Sequence, residues 1–165
     1  MDPAAASETS WDDRLRRQKE PLLDEWNRRI LDSYPAETVS FLKKERDRFA
    51  NPVAHAFREA TEAIFQALVS GCDADPGALG YAMKIRALQG QDPREGVAFI
   101  YLLKDTVRAK LDGPISEKEW IDFESRIDRI AATALEMFVA NRAKIAELAG
   151  RVKASAKRHR RQSHG

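Results

Sequence analysis

Any chemistry in this chain has to come from a small set of residues. The histidines are His55, His159 and His164, and the single cysteine is Cys72. A metal or haem site needs convergent ligands in a protected place. On a helix, His55 shares its face with Glu59, Glu62 and Gln66, opposite Phe57, Ile64 and Leu68, which reads as a solvated polar face. His159 and His164 fall in a basic run near the end of the sequence. Cys72 reads as an exposed, inert thiol, and one cysteine permits no intrachain disulfide. Carboxylates are plentiful but sit near bases, as in Glu45 with Arg48, Glu136 near Arg142, Asp47-Arg48 and Arg126-Ile127-Asp128-Arg129. Such charges solvate helices and pair with their neighbours. There is no glycine-rich phosphate loop, nucleophile elbow, His-Glu-x-x-His or Cys-x-x-Cys. These residues predict no catalytic group, no metal site and no cofactor, so the chain does not read as an enzyme.

One segment is strongly charged. From Gly150 onward the chain carries Arg151, Lys153, Lys157, Arg158, Arg160 and Arg161 and no acid, leaving 22 basic against 26 acidic residues before it. The net charge of +2 therefore hides an acidic body with a basic tail. At helical spacing the six bases are expected to spread around the axis. That suits a solubilising tail better than a helix that reads base edges, with non-specific nucleic-acid attraction as the weaker alternative.

The positioning elements are well punctuated. Ser10 can cap a helix that begins with Asp12 and Asp13. Pro21 should kink or restart it, and Leu22, Leu23, Trp26 and Ile30 continue an apolar stripe to Tyr34-Pro35. A short helix is expected over Glu37 to Arg48. Asn51-Pro52, Asp75-Pro76 and Asp92-Pro93 each place a cap before a helix-starting proline. Glu95 and Glu119 complete capping boxes with Asp92 and Ser116. Gly71, Gly90 and Gly113-Pro114 mark stops. No segment alternates with period two. The 165 residues predict one all-α domain of six to seven helices, with residues 1–10 a flexible N-terminus, 11–150 the helical body and 151–165 the basic tail. The longest apolar run, Val97 to Leu103, is far short of the ~20 residues that span a membrane. No membrane insertion is expected, and the expected compartment is cytoplasmic.

Two helices set the architecture. The one from Pro93 to about Leu111 is apolar on all faces over two turns, which predicts a central position. Lys104 falls on its Val97–Ile100–Tyr101 face, its stem packed and its amine at the rim. The final helix starts at Glu117 and repeats Trp120, Ile127, Ala134, Asn141 and Leu148 every seven residues, with Phe123, Ile130 and Met137 and then Phe138, Ile145 and Val152 beside them. Continuous to about Lys157 it spans ~40 residues and ~60 Å, against a radius of gyration of only ~15 Å for a domain this size. It must overhang the body, bend near Gly150, or pair with another copy. Asn141, Ile145, Leu148 and Val152 would form the seam, with Asn141 either fixing register or marking where the helix leaves its core.

Several stretches resemble a known family. Asp47-Arg48-Phe49-Ala50-Asn51-Pro52-Val53 is similar to a signature of the N-terminal domain of RsbRD-type stressosome co-antagonists. Ile85-Arg86-Ala87-Leu88-Gln89 and Ala98-Phe99-Ile100 with Leu103-Lys104 resemble its central segment. Arg126 to Ile130 and Asn141 to Ile145 resemble its last helix. The likeness covers about Trp11 to Arg151. It implies a globin-like helical bundle without haem, agreeing with the lack of histidine between Pro76 and Leu103. It also implies a homodimer, and a last helix that in relatives leads into a phosphorylatable STAS domain. The expectation is a stand-alone sensory or adaptor domain lacking that STAS domain and signalling to a regulatory protein partner. Asn51, Arg86, Tyr101 and Lys104 are its candidate ligand contacts, Asn51 also being a helix cap. The rival readings are a haem- or gas-binding globin-like sensor and a nucleic-acid module using the tail.

Overall fold

The structure is a computed structural model that describes residues 9–36 and 51–163. The expected helix over Glu37 to Arg48, the Glu45–Arg48 pair, the Asp47–Ala50 part of the family-like segment, residues 1–8 and His164 lie outside the described residues. Among these there are six helices and no strand: α1 (Trp11–Arg17), α2 (Lys19–Asp32), α3 (Pro52–Ser70), α4 (Pro76–Leu88), α5 (Pro93–Lys110) and α6 (Glu117–Gln162).

The local chemistry of the caps explains the boundaries. Ser10 accepts from the Asp13 amide, Asn51 from Ala54 and Asp75 from Gly77. Both capping boxes form: Asp92 with Glu95 and Ser116 with Glu119. The break between α1 and α2 falls at Gln18, three residues ahead of Pro21. Proline has no N–H for the Arg17 carbonyl and crowds it. Gly71 closes α3 in the left-handed region at φ 70°, where a side chain would be strained.

The core runs through all six helices. Trp26, Phe57, Phe65, Phe99, Phe123 and Phe138 are its largest fully buried side chains. Trp26 also donates its indole N–H to the Phe99 carbonyl at 2.7 Å, so α2 is locked to α5 by a polar contact as well as by area. Trp11 meets Phe123 edge-on at 5.6 Å, and Phe57 meets Phe99 at 5.1 Å. These are geometries that ring quadrupoles favour.

α5 takes the expected central position, with one strip left exposed. Gly96, Val97, Phe99, Ile100, Leu103, Thr106 and Val107 are buried, whereas Ala98 and Tyr101 face outward. The strip takes small or amphipathic side chains, which tolerate water while the other faces pack against α2, α4 and α6.

On α2, Arg28 and Arg29 both donate to Glu25. The Arg28 hydrogen bond, above all, holds the Glu25 carboxyl down at about 2 from its ordinary 4.5. A depressed carboxyl contributes stability that is fully present above about pH 4.5 and fades as pH falls towards 2. Glu25→Gln should therefore flatten that part of the acid-unfolding curve. An NMR titration of Glu25 with a midpoint near 4 would contradict the account.

α6 is 46 residues long, about 69 Å. Gly150 does not interrupt it, and nothing lies within 4 Å of a side chain placed there. Every residue from Ala146 to Gln162 is exposed. That stretch stands about 25 Å clear of the body.

Candidate functional site

Arg86 is the one charged side chain buried among the described residues, at 4% exposure. α4 presents it to a cage of rings drawn from three other parts of the chain. Its guanidinium carbon lies 5.2 Å from the Tyr34 ring just beyond α2, 4.6 Å from Phe57 on α3 and 5.6 Å from Phe99 on α5. Its Nη1 donates to Gln91 Oε1 at 3.0 Å, while Nε is buried without a partner. Burial pushes its pKa below the usual arginine value, against the opposing pull of Tyr34 and Glu95. No carboxylate pairs with it among the described residues, so the ring faces are its main compensation.

Gln91 is held from a second side. Its backbone carbonyl accepts from Arg142 Nη1 at 2.6 Å. Arg142 sits on α6 where that helix leaves the body, with its guanidinium 5.9 Å from the Phe138 ring. Gln91 thus joins the buried cation to the root of the projecting helix.

Of the four expected ligand contacts, Tyr101 and Lys104 lie together at the rim of α5, whereas Asn51 and Arg86 are buried. Asn51 is 4% exposed at the head of α3, where its side chain caps the helix. Tyr101 is 40% exposed on the outer strip of α5. Lys104 Nζ lies 5.2 Å from the Tyr101 ring, 3.4 Å from Glu124 and 3.9 Å from Asp128 on α6. Its stem packs and its amine reaches the rim, paired with acids across the helix interface. A cleft of about 880 Å³ between α3 and α4 is lined by Pro52, His55, Glu59 and Tyr81 among others, and by none of the four. His55 pairs there with Glu59 at 3.0 Å. No group of three or more metal-ligating side chains occurs among the described residues, and no helix among them is long and apolar enough to cross a membrane.

Sequence reasoning singled out Arg86 but missed its setting. Tyr34, Phe57, Phe99 and Gln91 come from positions up to 65 residues apart in sequence order, and no local pattern joins them. The Arg126 cluster was also more than local. Arg126 reaches Asp12 on α1 at 2.8 Å and the Leu68 carbonyl at the end of α3.

The remaining surface of note is on α6. Phe123, Ile127, Ile130, Ala134 and Phe138 are buried. The same helix face continues through Asn141 and Ile145, both half-buried, to Leu148 at 59% and Val152 at 69% exposure. Asn141 turns its amide back to the Met137 carbonyl. The core stripe therefore runs out of the body into solvent.

The family model for the RsbT co-antagonist protein RsbRD N-terminal domain matches residues 20–152. The chain belongs to this family. The RsbRD N-terminal domain is a regulatory, non-catalytic domain of stressosome-type proteins. No curated protein and no solved structure matches the chain. The matched region begins inside α2 and ends at Val152, so it takes in the exposed stripe and stops short of Lys153, Lys157, Arg158, Arg160 and Arg161.

Proposed function

We propose that this RsbRD N-terminal domain is a cytoplasmic sensory or adaptor domain, a globin-like bundle without haem, that forms a homodimer along α6. It passes its signal or its protein contact through that helix to a regulatory protein partner. The observation that carries the reading is the core stripe of α6 emerging from the body as Ile145, Leu148 and Val152. A helix face that stays apolar after leaving its own core is suited to packing against another surface. A second copy offers the same face at the same spacing.

Magnitudes fit a modest dimer. Burying Leu148 and Val152 of both copies contributes roughly 1.5–3 kcal/mol per side chain. The total, on the order of 6–12 kcal/mol, must exceed an association cost of about 4–15 kcal/mol. The most favourable combination nets about 8 kcal/mol, so the dimer is no tighter than about micromolar. The Arg86–Gln91–Arg142 connection supports the sensory part, because it ties the buried cation of α4 to the point where α6 departs.

Light scattering at tens of micromolar should give twice the 18.6 kDa chain mass. Leu148→Glu, which sets two like charges face to face, should give the single-chain mass with unchanged helix content. Wild-type chain scattering as a monomer at that concentration would defeat the proposal.

A further inference from the structure

Beyond Val152 the projecting helix changes character. Its core-facing stripe goes on as Ser155, His159 and Gln162, repeating the seven-residue spacing of Leu148 and Val152 with polar side chains. A pair of helices has nothing apolar to close on past that point. The basic run starts at the same place. With residue 162 now known to be helical, the arrangement of the six bases is defined, and the expectation that they spread around the whole axis is corrected. At 100° per residue, Arg151, Lys153, Lys157, Arg158, Arg160 and Arg161 occupy about half of the circumference, the half turned away from the stripe. No acid follows Glu147, and Glu147 itself pairs with Arg151.

The composition of this end selects the partner. Residues 153–162 contain no Phe, Tyr or Trp and no large aliphatic side chain. There is no anchor for a protein pocket and nothing to bury at a lipid boundary. The attraction is coulombic, so it needs densely spaced negative charge. Ala154, Ser155 and Ala156 keep the helix slim between its bases. A helix about 10–12 Å across matches a duplex major groove about 12 Å wide. The acid excess of the body repels a polyanion elsewhere, so only the projecting end engages it.

We infer that the end of α6 is a docking surface for the phosphate backbone of duplex nucleic acid, with no reading of base sequence. The paired geometry, two helices parting after Val152, rests on the homodimer proposed above; the basic arc does not.

The test is fluorescence anisotropy of the intact chain with a short labelled duplex of arbitrary sequence. Binding should be measurable at about 50 mM salt and weaken about a hundredfold by about 200 mM, as release from roughly four phosphates requires. Replacing all six bases by Gln, a good helix former, should weaken it at least about a hundredfold at low salt while circular dichroism stays unchanged. Permuting the duplex sequence should leave affinity within a factor of about two. The inference is overturned if the wild-type chain does not bind at low salt or if the six-Gln variant binds equally. Polyglutamate or phosphatidylserine vesicles capturing the chain more tightly than the duplex does would also overturn it. Light scattering of the same samples separates the two proposals: a monomer that binds the duplex keeps the docking surface and removes the pairing.

Discussion

Gly96→Leu should strip the domain of much of its stability, by about 3 kcal/mol or more, lowering Tm by roughly 6–12 °C for a chain this size. Gly96 is buried where α5 meets α6, and a Cβ there would stand 2.7 Å from both Cδ2 and Cε2 of Phe138. Phe138 is 1% exposed, packed in the core. Gly96→Ala isolates the contact. It gains about 1 kcal/mol of helix propensity and loses about 1–3 kcal/mol to overpacking, so it should be neutral to mildly destabilising. The pair Gly96→Ala with Phe138→Leu should then cost less than the sum of the two single changes, since the smaller ring-side group leaves room for the methyl. A Gly96→Leu melt within a degree or two of wild type would show that the two helices can separate freely, and the close approach would lose its meaning.

Arg86 gives the second large effect, and its substitutions should fall in an order that reveals why it is there. Arg86→Ala removes a large buried side chain, for which truncations cost about 2–5 kcal/mol, and also its contacts with three ring faces. A loss of about 3 kcal/mol or more is expected. Arg86→Met keeps most of the volume and removes a buried charge that no carboxylate among the described residues pairs with, a change that is often close to neutral. It should stay within about 1.5 kcal/mol of wild type. Arg86→Lys puts a compact ammonium in the same cage, where burial drives its pKa down. The unfolded chain then binds more protons than the folded one, so stability of that variant should rise as pH climbs from 7 towards 10. Denaturant melts at several pH values check all three. Hydrogen exchange adds a further readout: amides around Arg142 should open faster in Arg86→Ala and Arg86→Met alike, because both release the Gln91 side chain. Equal losses for Ala and Met would refute the packing account.

The sequence disclosed some parts of this molecule far better than others, for a physical reason. Helix starts at Asn51, Asp75, Asp92 and Ser116 are settled within four residues of the cap, so their spelling is local and complete. That α6 is long was visible too, since no glycine or proline intervenes from Ile115 to Ala149. At Gly150 the same local logic ran out. Flanking residues with good propensity carry the helix through a single glycine that costs only about 1 kcal/mol. The side of α5 left exposed at Ala98 and Tyr101, the rings around Arg86 and the reach of Arg126 to Asp12 depend on how helices cross. Residues far apart in the chain decide those features, and a run such as Val97 to Leu103 is equally apolar whichever side is covered. The family likeness is carried by short stretches of sequence, and the family model matches residues 20–152, whereas Tyr101 and Lys104 face a different neighbour from Arg86.

The exposed stretch of α6 from Ala146 to Gln162 also has the geometry of a lever. The helix is gripped at its root by Phe138 under Gly96 and by Arg142 on the Gln91 carbonyl, and Ala146 to Gln162 are all exposed. A rigid rod about 25 Å long that tilts by about 10° at its root moves its tip by about 4 Å, close to one helical turn. Any tilt of that size at the root would therefore reach Lys157 and Arg161 as a displacement of side-chain size.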